Sequence, residues 1–156
     1  FEQLKQLDRN LDVLKVPGEI RAASQKLGSR FVKTIRSMAK EGEFTSFFRY
    51  AELTGVQKIH HSTAYGVFCH SAGICREEAV KRFLYAQISA MITNCVKSIP
   101  LSQSQGQEML YNLYPVMEEV LKENECMEKD ALGRSAPGID LRAMQHERLY
   151  SRIYMS

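Results

Sequence analysis

Almost nothing in this 156-residue chain alternates apolar and polar residues with the two-residue period of a half-buried strand. It also lacks any apolar stretch long enough to cross a bilayer, and no signal peptide is visible. The four cysteines, Cys69, Cys75, Cys95 and Cys126, lie well apart, three of them in apolar or helical runs where a thiol packs as a small hydrophobe. They form no framework of the kind that staples secreted domains, so a cytoplasmic protein is expected. A net charge of +3 is small, and Lys and Arg are interleaved with Asp and Glu, so the composition carries no nucleic-acid footprint.

Signatures of chemistry are missing too. There is no Gly-x-Ser-x-Gly, no cysteine in an activating context, and no Gly-Lys-Ser/Thr phosphate loop. Glu118, Glu119, Glu123 and Glu125 gather around a helix end beside Lys122 and read as a solvated face rather than an acid/base pair. No enzyme activity is expected. The residues nearest to a metal set are His60, His61, Cys69 and His70, with Cys75 beyond them. Adjacent histidines point to different sides of a helix, and His61 and His70 stand more than two turns apart. No Cys-x-x-Cys, His-x-x-x-His or His-Glu-x-x-His spacing occurs. A helix start with polar caps and a packed thiol is the favoured reading; these four remain weak metal candidates, and an ion shared between subunits would escape the spacing test.

What the chain does have is helical period from end to end. Phe1, Leu4, Leu7, Leu11 and Leu14 open an amphipathic run that closes near Val16-Pro17-Gly18. This run begins without a cap or a leading loop, so residues upstream of Phe1 are expected in the natural protein. Ile20, Ala23, Leu27, Phe31, Ile35 and Met38 form one stripe, and a short helix around Phe44–Leu53 ends at Gly55. A segment from about Ser62 to Ser71 follows. Arg76 to Ser98 is the longest helix, with an apolar face wide enough to be central in a bundle, and Pro100 ends it. Ser102 to Glu125 carries Pro115, which should kink or divide it. Residues 126–138 read as a loop, and 139–156 as a last helix, Leu141 to Leu149 capped by Asp140, with a tail. The fold expected is a single all-α bundle of about six or seven helices over 1–156.

The tail is unusual for a chain end. Residues 144–156 concentrate Met, Tyr and Arg (Met144, Tyr150, Arg152, Tyr154, Met155), types enriched in the buried centres of interfaces, where termini are normally small and polar; such a tail either folds back on its own bundle or meets a partner.

Several stretches resemble a known family. Phe83-Leu-Tyr-Ala-Gln87 through Ser89, Ile99-Pro-Leu-Ser-Gln103 and Gly106-Gln107 are similar to the middle of UreF, a family of urease accessory proteins. Ala143-Met-Gln-His-Glu147 and Ser151-Arg-Ile-Tyr-Met-Ser156 resemble its C-terminus; Gln25-Lys-Leu-Gly28 with Arg30 and Phe31, and His61 with Tyr65-Gly-Val-Phe68, match as well. The family's upstream Pro-(Ile/Thr)-Gly…Ser-His segment has no counterpart here. The resemblance implies an all-α homodimer without chemistry of its own. Such a protein binds a second accessory protein (UreD, or UreH) and the GTPase UreG, docks on apo-urease, and holds no tight cofactor, nickel passing through in transit. The matched tail implies a partner-binding role for His146, Tyr150, Arg152 and Tyr154, with Arg152 central. A planar guanidinium suits that role because it can hold several oxygens at once. Neither nucleic acid nor membrane is an expected partner. The alternative is a metallochaperone that binds nickel through its own His60, His61, Cys69 or His70. Gly66 and Gly106 match family glycines and are expected to mark close helix approaches.

Overall fold

The computed structural model describes residues 1–127, 132–134 and 136–150. Among them are eight α-helices: α1 Glu2–Leu14, α2 Gly18–Met38, α3 Thr45–Thr54, α4 His61–Ser71, α5 Arg76–Ser98, α6 Gln103–Asn112, α7 Tyr114–Glu125 and α8 Pro137–His146. One 3-10 turn, Val56–Lys58, links α3 to α4. No strand occurs among the described residues, so the chain is all-α. Among the described residues no helix is long and apolar enough to cross a membrane.

The helices fall into two compact units. The first holds α1 to α4 and α8. Its core is Val32, Ile35, Phe47, Tyr50, Ala51, Ile59 and Ala64, with Leu4, Phe31 and Phe68 packed on it. Phe31, Phe47 and Phe68 meet edge to face, with centroids 5.4–6.1 Å apart, the geometry their ring quadrupoles favour. The buried row of α2 runs through Gly28, Val32 and Ile35. It is displaced from the apolar stripe read in the sequence, whose Leu27 and Met38 are 49% and 66% exposed. Gly28 explains the displacement: a Cβ there would lie 2.2 Å from the Ile59 carbonyl oxygen, so only glycine lets this backbone press on α2.

The second unit holds α5, α6 and α7 around Ile92, Leu110 and Met117. Gly106 seats α6 on α5, where a Cβ would meet Val96 Cγ2 at 2.7 Å, as expected of a close helix approach. Gly66 differs: it is exposed and nothing lies within 4 Å of its Cβ position. Pro115 divides the run after Ser102 into two helices, falling in the first turn of α7 where its missing N–H costs nothing. Ser102 and Gln105 close a reciprocal capping box at the start of α6. Of α5's wide apolar face only Ala79 and Ile92 are buried, whereas a helix flanked on several sides would bury most of it. The last helix opens at Pro137 rather than after Asp140. Proline suits the first helical position, and Asp140 falls inside the first turn, where the helix dipole favours it.

Candidate functional site

Pro17 precedes α2 and has no side chain able to accept from the helix's orphan N–H groups. The acceptor comes from elsewhere. Glu147, just after α8 and 128 residues away in sequence, takes the Glu19 N–H on Oε1 at 3.0 Å. A carboxylate at a helix N-terminus also gains from the dipole. Glu19 in turn holds His146 Nδ1 at 2.7 Å through Oε2. Gly18 leaves room for this exchange, since a Cβ there would come within 3.3 Å of Glu147 Oε1. Two consecutive residues of α8's end therefore clasp the first turn of α2.

Past the clasp the chain turns outward: Leu149 is half exposed and Tyr150 fully so. Of the tail residues singled out by sequence, His146 is engaged inside the chain and Tyr150 faces solvent, while Arg152 and Tyr154 lie outside the described residues. Glu147→Ala is expected to cost about 1 kcal/mol, the usual worth of a lost N-cap. Hydrogen exchange should show faster opening in α8 and the first turn of α2, with α3 and α4 unchanged.

Beside the clasp, and invisible to the sequence reading, lies a buried polar network. Asp8 of α1 accepts the Tyr50 hydroxyl on Oδ2, and the His60 N–H at 3.1 Å and the Thr63 hydroxyl on Oδ1. The fully buried His60 ring meets Ser24 Oγ at 3.0 Å through Nδ1 and Asp12 Oδ1 at 3.1 Å through Nε2. The tautomer with hydrogen on Nε2 satisfies both contacts, because Asp12 can only accept and Ser24 can donate. Gln25 donates to the same Asp12 oxygen at 2.7 Å, and Arg21 covers the Asp12 and Lys15 carbonyls at the C-terminal end of α1. One signal was available: Leu4, Asp8 and Leu11 share a helix face, so a carboxylate stands on the inward stripe of α1.

These placements disperse the metal candidates. Both ring nitrogens of His60 are engaged. His61 packs edge-on against Phe31 at 5.9 Å, and burial holds its pKa below the usual histidine value. Cys69 is buried in α4 and His70 is exposed. Among the described residues no group of three or more His, Cys, Asp or Glu side chains is arranged to hold an ion. What the site presents is a set of side chains fixed by internal hydrogen bonds.

The family model described as UreF matches residues 1–114. Urease accessory protein UreF of Bacillus sp. (strain TB-90) is 30% identical, the match covering 98% of this chain and 67% of the relative. The protein of the same name from Sporosarcina pasteurii is 26% identical, with 100% and 77% covered. That of Haemophilus influenzae (strain PittGG) is 32% identical, with 100% and 66% covered. The chain thus spans 66 to 77% of the length of these three relatives.

Proposed function

The chain belongs to the UreF family of urease accessory proteins, and from that premise we propose that it is a scaffold of urease maturation acting in the cytoplasm. With UreD/UreH it recruits the GTPase UreG to apo-urease for nickel insertion, nickel being the cargo of the assembly. The observation that carries this reading is the clasp of Glu19, His146 and Glu147, which anchors the tail's root and turns Leu149 and Tyr150 toward solvent. A tail held at its base, with Leu149 and Tyr150 exposed, suits capture of a partner, since part of the ordering is already complete.

A homodimer is part of the proposal. Support comes from the second unit, where Met91, Tyr111 and Val116 stand 66%, 74% and 49% exposed, Met and Tyr being types enriched at protein contacts. Exposed Gly66 on α4 offers a further bare surface for a partner.

The test is co-purification of the full chain with UreD/UreH and UreG, followed by activation of apo-urease. Arg152→Ala is expected to lower GTPase recruitment and urease activation at least about tenfold, the effect of losing a central interface arginine, while the all-helical circular dichroism persists. Undiminished recruitment would remove the tail from this account. Nickel titration of the isolated chain separates the metallochaperone alternative: stoichiometric binding lost on replacing His61 and His70 would favour it.

A further inference from the structure

Between Glu19 and Glu41 the sequence contains no acidic residue, while Arg21, Lys26, Arg30, Lys33, Arg36 and Lys40 all fall in that interval. Taken over the whole chain, cations and anions are mixed; along α2 they are not. The structure separates these cations further. Arg21 is occupied by backbone carbonyls, and Arg36 reaches Glu52 at 3.5 Å and lies over the Phe48 ring. Lys26, Arg30 and Lys33 remain on one exposed face, at helical spacings of four and three, with no carboxylate partner among the described residues. A solvated helix face ordinarily places acids at the neighbouring positions three and four residues away, where opposite charges meet. Here those positions, apart from the three cations themselves, hold Ala22, Ala23, Leu27, Ser29, Thr34, Arg36 and Ser37.

The face is also shaped. Gly28 draws the chain at Ile59 hard against the opposite side of α2, which brings the 3-10 turn alongside the helix. A notch of about 450 Å³ opens there, lined by Lys26, Ser29, Arg30 and Lys33 from α2 and by Gln57 from the turn. Lys58 of the same turn is exposed beside it. Ser29 and Gln57 supply neutral polar groups between the cations. A concave, like-charged surface raises the local concentration of ligands of opposite charge and speeds their encounter.

We propose that this face of α2, centred on Lys26, Arg30 and Lys33, is a docking surface for an acidic segment of a partner protein. Charge complementarity favours that occupant. Three cations are few for a surface that follows a phosphate backbone, and no aromatic side chain stands among them to stack on bases. Carboxylates spaced along a helix or an extended segment would meet Lys26, Arg30 and Lys33 in turn, with Arg30 able to take one of them in bidentate fashion. Lys26, Arg30 and Lys33 take no part in the clasp with His146 and Glu147, so this partner contact is additional to the one proposed for the tail.

The experiment uses the full chain and two labelled probes followed by fluorescence anisotropy: a short glutamate-rich peptide and a DNA duplex of matched charge. Low salt and about 0.15 M ionic strength bracket the screening expected of exposed charges. The peptide should bind, weaken with salt, and lose at least about tenfold in affinity in Lys26→Glu/Arg30→Glu/Lys33→Glu. The neutral variant Lys26→Gln/Arg30→Gln/Lys33→Gln should fall between, and Lys97→Glu, on α5, should bind as the parent does. All four positions are exposed, so circular dichroism and thermal melting should match the parent. Peptide binding that survives the triple reversal, or no binding at low salt, overturns the proposal. Tighter binding of DNA that the reversal abolishes also overturns it, in favour of a nucleic-acid surface.

Discussion

Asp8→Ala is expected to destabilise the first unit by about 3–5 kcal/mol, a large part of the whole stability of an ordinary domain. Asp8 is 3% exposed and accepts from three donors on two other segments: the Tyr50 hydroxyl of α3, and the His60 N–H and Thr63 hydroxyl at the start of α4. Thr63 has an alternative acceptor in the His60 carbonyl at 2.8 Å. Tyr50 and His60 lose theirs, and each orphaned buried donor costs about 1–3 kcal/mol. Chemical denaturation should show a lower midpoint with little change in slope. Tyr50→Phe leaves the buried Asp8 Oδ2 without that donor, so its cost should be about 1–3 kcal/mol. A second arm of the measurement is alkaline. Burial first, then the hydrogen bond to Asp8, pushes the Tyr50 hydroxyl well above the usual tyrosine value of 10. A group whose folded pKa is raised contributes stability that is complete below its unfolded value and is lost above it. The parent should therefore lose stability from about pH 10 upward. Tyr50→Phe should lack that part of the loss.

Gly28→Ala should behave oppositely to a routine helix substitution. In an open helix the change would gain about 1 kcal/mol. Here the new methyl would stand 2.2 Å from the Ile59 carbonyl oxygen, 2.9 Å from His60 C and 3.0 Å from His61 N. All three are backbone atoms, so no side-chain rotation relieves the contact, and the strand of chain entering α4 must move. A net loss of about 2–3 kcal/mol is expected, the range of overpacked cores. The displacement would also strain the His60 N–H to Asp8 bond, so Gly28→Ala and Asp8→Ala should be less than additive in a double-mutant cycle. Full additivity would mean that the two features act separately.

Helix boundaries were legible wherever a single residue type decides them. Arg76 to Ser98 was read with its observed ends because acidic residues open it and Pro100 forbids its continuation. Pro115 announced a division for the same reason. The facing of α2 was not legible. Apolar counting selects Leu27 and Met38, yet the buried row includes Gly28, whose place is set by a carbonyl thirty-one residues later in the chain. The start of α8 was misplaced because Asp140 is an able cap, while Pro137 fits the first helical position better. At the site, His146 is marked by the stretch that resembles the family's C-terminus, but its partner Glu19 is a pairing across 127 residues that no local pattern encodes. The cationic face of α2 was in plain view and was averaged away by counting charge over the entire chain.

The clasp between Glu147 and Glu19 has a consequence for synthesis. A ribosome releases α1 to α4 first, then the whole of the second unit, and only afterwards the residues of α8. During that interval the first turn of α2 has water where the Glu147 carboxylate will be, and its N-terminal end frays more freely. The nascent first unit is thus complete in its aromatic core but unsealed at one helix end until translation has passed Glu147. A chain truncated in the second unit would carry the same open turn permanently, and quality-control proteases would find it there.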